Sequence, residues 1–314
     1  MVSYILRRFL LLVPTAWAIA TLAFIAIHFI PGDISDFLLQ DDRDGAAAEQ
    51  IRESLGLNRP IIVQYLDWFW RMLQGDLGTS FLTGRSITAD VMERLPATLQ
   101  LTFGGLVVAL LIAIPAGVVS AARRGRPADA TIRVGAFVGV SVPSFWLGLM
   151  LVLLFAVTLG WFPSSGYVPF FDDPVENLRR LTLPAITLGV AMAGTTTRML
   201  RASMIDTLQQ EFIRVAHAKG VPAGQVMRRH AFRAALIPSI TSVGLQVGYL
   251  LGGTVVLEKV FAWPGNGRYL LDAISARDYP VVQAMILIYG ILFMVINLIV
   301  DVAYGLTDPR VRRT

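Results

Sequence analysis

Three histidines (His28, His217 and His230), two lysines (Lys219 and Lys259) and no cysteine are a small stock of reactive side chains for a chain of 314 residues. Without a thiol there is no disulfide, no thiolate metal site and no cysteine nucleophile. Metal ligation by histidine needs partners at helical or loop spacing, and no HExxH-like context surrounds any of the three. His217 and His230 fall in basic helical sequence and read as solvated side chains. No serine occupies a GxSxG elbow. Neither lysine follows a glycine, so the GxxxxGK[ST] loop that cradles nucleotide phosphates is missing. If ATP powers this protein, a separate subunit binds it, and this chain reads as a non-enzyme without a cofactor of its own.

Ion coupling would leave charged groups deep in apolar spans, where each costs roughly 2.5 to 3.5 kcal/mol on insertion scales. Only His28 and Asp301 come near, both close to the ends of apolar runs, where such groups reach water. An ion-coupled carrier or channel is therefore disfavoured. What is left is a docking surface. From Glu211 to Pro238 the chain reads EFIRVAHAKGVPAGQVMRRHAFRAALIP, polar and basic between two apolar runs. Ile205, Leu208, Phe212 and Val215 recur at helical intervals, Gly220 supplies a left-handed residue at a helix end, and Pro222 suits the first turn of a new helix. The pattern predicts two helices with a bend. Arg228, Arg229 and Arg233 oppose burial in lipid, and Pro238 marks a return to apolar sequence.

The elements that position this segment are spans. The chain is 55% hydrophobic and 16% charged, against about a quarter charged in soluble domains, and its mean hydropathy is +0.61. Six windows lack Asp, Glu, Lys and Arg: Phe9 to Gly32, Pro96 to Ala122, Gly135 to Phe171, Leu181 to Thr197, Ala234 to Leu257 and Tyr279 to Val300. A span needs about 20 apolar residues. The third window is longer than that, and its Gly160, Pro163 to Gly166 cluster reads as a loop after the helix. The fourth is short and rich in Gly and Thr. The first run exceeds a signal core and lacks a small-residue cleavage pattern, so it reads as an uncleaved span.

Basic clusters precede the first span (Arg7, Arg8), separate the second from the third (Arg123, Arg124, Arg126, Arg133) and the fourth from the fifth, and close the chain (Arg310, Arg312, Arg313). The positive-inside rule puts them all in the cytoplasm if there are six spans with both termini inside. The net charge of +5 is thereby accounted for by topology, and nucleic-acid binding has no separate support. The expected organisation is a first span with a long external segment over 1–95, a five-helix core over 96–306 with a cytoplasmic loop at about 205–237, and a tail over 307–314.

Two further features have open readings. Thr195 and Thr196 in the fourth span, with Ser242, Gln246 and Gly248 in the fifth, either line an uncharged path or allow close helix packing. In the external segment Pro60 opens a helix whose Ile61, Tyr65, Trp68, Phe69 and Met72 form an aromatic face, ended by Gly75. That face either lies on the membrane surface or meets an external partner.

A series of motifs in order, YILRRFLLLVP, HFIPGD, LGLNRP, QYLDWFWRMLQGDLGTS, RLPATLQLT, SVPSFWLG, LTLPAITLG, VFAWPGNGRYLLDAISARDYPVVQ and DVAYGLTDPRVR, spans almost the whole chain. In these the chain resembles the B-type permease subunits of the ABC importers for dipeptides, oligopeptides and nickel. The resemblance implies the all-α type I importer permease fold in a bacterial inner membrane. It also implies a second homologous permease, two ATP-binding subunits that hold ATP and Mg, and an external solute-binding protein. Short peptides are the expected cargo, with nickel, a nickel chelate or another peptide-like solute as the alternative. The basic segment corresponds to the family's coupling (EAA-type) loop, with Ala216, Ala218 and Gly220 at its small positions and Phe212, Ile213, Arg214, His217 and Lys219 around them. His217 between the alanines and the absence of an opening Glu depart from the general importer pattern, in the manner of the peptide and nickel branch.

Overall fold

The computed structural model describes residues 2–28 and 58–307, and among these every regular element is helical. Helix α1 (Val2–His28) is followed by α2 (Ile61–Leu73), α3 (Ile87–Ala122), α4 (Pro127–Ser141) and α5 (Ser144–Leu151), which continues as a π-helical stretch, Val152–Thr158. Then come α6 (Pro174–Leu208), α7 (Glu211–Ala218), α8 (Phe232–Val260), α9 (Asn266–Ser275) and α10 (Tyr279–Thr307). A short turn, Ala223–Gln225, and a π-helical stretch, Val226–Ala231, lead without a break into α8.

Helix α3 is the ruler of the molecule. At 36 residues and 1.5 Å per residue it is about 54 Å long, more than a hydrocarbon core requires. It lies along α6, and the crossing is made by glycines in both helices. A Cβ on Gly105 would press into Leu188, and one on Gly189 would meet the Gly105 carbonyl and Val108. Small residues let the backbones approach closely, the usual basis of association between membrane helices. Around this seam Leu101, Ala109, Leu183, Leu188 and Met192 form the central core with Leu257, Phe261 and Trp263.

Among the described residues three helices are long and apolar enough to cross a membrane, Ile87–Ala122, Val243–Val260 and Tyr279–Val300, and Leu10–Ala26 is a shorter apolar stretch. The single third span expected over Gly135 to Phe171 is instead a pair, Pro127–Ser141 and Ser144–Thr158, bent by 102°. Pro143 is the cause: the residue before a proline is pushed out of the helical region, and Val142 is extended, φ −77° and ψ 125°. The loop expected at its end does begin at Gly160, where φ is +65°. The fourth window sits in α6, whose buried face runs from Asn177 to Thr207. The end of the first window, 29–32, and the acidic stretch with Asp41, Asp42 and Asp44 lie outside the described residues.

Candidate functional site

Helix α7 sits at one end of the bundle, on a second core formed by Ala121, Leu200, Met204, Val226, Ala231 and Ala235. It enters this core by only two side chains, Ile213 and Ala216, one helical turn apart. The helical pattern through Ile205, Leu208, Phe212 and Val215 does not continue as one face. Helix α6 ends at Leu208 and Gln210 is extended, ψ 155°, so the helical phase restarts. Ile205 and Leu208 face the core, whereas Phe212 and Val215 are 42% and 52% exposed. Their exposure leaves an apolar pair on an outer face that also carries Arg214, His217, Ala218 and Lys219.

The end of α7 is fixed by its hydrogen bonds. Gly220 N–H donates to the His217 carbonyl at 2.9 Å and Val221 N–H to the Ala216 carbonyl at 3.2 Å. Those two bonds, with Gly220 at φ +75°, make a Schellman cap, and Val221 adds the apolar contact that usually accompanies it. The bend expected at Gly220 and Pro222 is present. Past it, the chain does not break at Pro238, which lies within α8. Arg228, Arg229, His230 and Arg233 are exposed around this turn.

Next to this core, Asp129 is buried at 1% exposure and ties three elements together. Arg201 of α6 binds it with both arms of its fork, Nε to Oδ1 at 2.8 Å and Nη2 to Oδ2 at 2.9 Å. Ser120 of α3 donates at 2.6 Å and the Gly125 N–H at 3.0 Å. A bidentate charge-assisted pair of this kind is strong and geometrically selective. The clasp holds the ends of α3, α4 and α6 beside the seat of α7.

The opposite end of α3 carries a second polar network, built around Glu258 of α8, which is fully buried. Thr98 of α3 donates to its Oε1 at 2.9 Å, and the Arg268 N–H, in the first turn of α9, donates to Oε2 at 2.8 Å. The carboxylate thus caps a helix start, where free N–H groups favour negative charge. Thr98 Oγ1 also accepts from Asn266 N–H at 2.8 Å, and the Trp263 indole donates to the Ala97 carbonyl at 2.8 Å. Glycine is required here because a Cβ at Gly265 would run into the Glu258 carboxylate. Further out, Tyr269 donates to Asp90 at 3.2 Å, and burial with that neighbouring carboxylate pushes its hydroxyl up to about 12.

Of the residues considered for a path, Gln246 Nε2 donates to Thr196 Oγ1 at 3.4 Å, joining α8 to α6. Thr196 is buried and Thr195 half-buried. Gly248 packs against Phe293 of α10, whose ring fills the space a side chain would take. Ser242 lies in α8, but its side chain is outside the described residues. Among the described residues no group of three or more His, Asp or Glu side chains gathers as a metal site.

A family model described as "Binding-protein-dependent transport system inner membrane component" matches residues 113–313. The chain belongs to that family. The companion model for the N-terminal part of such membrane components matches residues 1–102. A putative peptide transport system permease protein of Brucella abortus is 43% identical over 312 residues, covering 99% of each chain. The glutathione transport system permease protein GsiC of Escherichia coli is 39% identical, again over 99% of each. Among solved structures, the inward-facing MetNI methionine ABC transporter aligns with a TM-score of 0.57 at 20% identity, over 70% of this chain and 96% of that one. The fold is therefore that of the type I ABC importer permeases, and the chain is a membrane component of a binding-protein-dependent importer.

Proposed function

We propose that this chain is one of two permease halves of an ATP-driven importer of short peptides, and that α7 is the helix through which ATP hydrolysis reaches it. The observation that carries the proposal is the split of α7 into a seat and a free face. Ile213 and Ala216 fix the helix to the permease, while Phe212, Val215 and the cations Arg214 and Lys219 face outward. An exposed apolar pair ringed by charge suits a partner subunit better than water or lipid. One of the two ATP-binding subunits, which hold ATP and Mg, docks on this face, the other docks on the second permease, and an external binding protein delivers cargo at the other end. The basic residues around α7 support a cytoplasmic position for it, with both termini on that same side of the inner membrane. ATP binding then biases a two-state element through its higher affinity for one of the two forms.

The relatives named for peptide and glutathione transport support peptides as the cargo class. Thr195, Thr196, Ser242, Gln246 and Gly248 fall on the two helices that border the path. Uptake of labelled di- and oligopeptides by cells lacking the endogenous system, with and without this chain, tests the reading. ATP-dependent peptide accumulation is expected only with the chain present. Nickel accumulation without peptide accumulation would overturn the cargo.

A further inference from the structure

Helix α2 has two apolar faces, and the structure uses only one. At 100° per residue, Tyr65, Trp68, Phe69 and Met72 fall within an arc of about 100°, and this is the face turned toward α1. Tyr65 Oη shares a hydrogen bond of 2.8 Å with Thr21 Oγ1. The Tyr65 and Trp68 rings lie 5.3 and 5.7 Å from that of Phe24, and Phe69 stacks on Tyr65 at 5.7 Å. The aromatic face, for which the sequence left membrane surface and external partner open, is thus partly covered by α1: its four side chains are half-buried, while Ile61 at its N-terminal end stays exposed.

The next arc, of about 80° on the same wheel, holds Ile62, Leu66, Trp70 and Leu73, which are 57% to 69% exposed. Polar groups are confined to a stripe of about 60° containing Gln64, Asp67 and Arg71. Asp67 is neutralised by Arg59 at 3.0 Å and Gln64 donates to the Arg59 carbonyl at 2.8 Å. A free apolar face of this size calls for a cover. Its position on α1 indicates which. Thr21 and Phe24, which grip α2, share two turns with Leu22 and Ile25, which are themselves exposed on an apolar helix. The outer face of α2 therefore continues the lipid-facing side of a membrane component, and Trp70 is of the residue type that favours the headgroup boundary.

We propose that α2 is an interfacial helix seated on α1, touching lipid through Ile62, Leu66, Trp70 and Leu73 rather than through its aromatic face. The chain has no cysteine, so once any cysteines of the partner subunits are replaced by serine, single labels can be placed without background. In the assembled transporter, reconstituted in phosphatidylcholine and phosphatidylglycerol nanodiscs, nitroxides at I62C, L66C, L73C and R71C are read by collision with oxygen and with a water-soluble nickel chelate. At 62, 66 and 73 oxygen should win over the chelate, and at 71 the order should reverse. Chelate access at 62, 66 and 73 equal to that at 71 would mean water and overturn the proposal. Exclusion of both reagents there would mean a protein cover and also overturn it. As a second reading, brominated lipid should quench the wild-type fluorescence more than that of W70F, and equal quenching contradicts lipid contact.

Discussion

The two ends of α3 are tied down in opposite ways. At the end that holds α9, a buried carboxylate is satisfied by donors that come from the backbone start of α9 and from Thr98. The aromatic Trp263 is locked to the backbone at Ala97. At the α7 end, the ionic clasp of Asp129 joins only the large helices, and α7 itself rests on two apolar side chains. Directional polar bonds resist sliding, whereas a small apolar contact permits a short helix to move with whatever binds its other face. The first end is thus a fixed plug of directional bonds, and the second a rigid rim around a lightly seated helix, as the lever proposed for α7 requires.

Breaking the plug should have the largest effect. Glu258→Ala would strand the Thr98 hydroxyl and the first N–H groups of α9 in an apolar interior, a loss of about 3 kcal/mol or more. Thermal unfolding of the purified complex should fall sharply and the yield of assembled transporter with it. An unchanged melting temperature would mean that the buried network does not stabilise this end.

The rim comes next. Asp129→Ala removes the acceptor of Arg201, and because Arg201 keeps 21% of its side chain in water, the loss should be about 2 to 3 kcal/mol, below that of a fully buried pair. Thermal melts of Asp129→Ala and Glu258→Ala side by side check the order, and the comparison breaks if the clasp variant is the less stable.

The lever is sharpened by a substitution with little global cost. Gly220→Val forces a β-branched residue to φ +75°, which costs about 1 to 2 kcal/mol locally. Uptake should drop while ATP hydrolysis continues, so the ratio of peptide moved to ATP spent is the quantity to measure. The smallest stability effect belongs to Phe212→Asp, within about 0.5 kcal/mol for an exposed site, and it should abolish co-purification of the ATP-binding subunits. Retained co-purification would remove Phe212 from the interface.

Much of this arrangement was legible in the residues. The cap at Gly220, the helix between Pro60 and Gly75 and the loop at Gly160 follow from local backbone chemistry, which sequence reports directly. The phase of α7 was not legible, because it depends on a two-residue break at Gln209 and Gln210 that resets which side chains face inward. Nor was the bend at Val142 foreseen, although Pro143 supplied the signal. Glu258 escaped because it sits one residue beyond an apolar window and looks interfacial. Only the return of α9 onto α3 buries it, and the run Trp263 to Gly267 was its trace in sequence. The packing of Gly248 against Phe293 had no local signal, because that ring comes from α10, far along the chain.

In the proposed transporter the exposed face of α7 meets an ATP-binding subunit, while the plugged end of α3 does not. Photocross-linking from p-benzoylphenylalanine at position 212 in the assembled transporter tests it most directly, with position 92, also exposed but at the plugged end, as the reference. An adduct with an ATP-binding subunit is expected from 212 and none from 92. An equal adduct from both positions, or none from 212 in a complex that hydrolyses ATP, would contradict it.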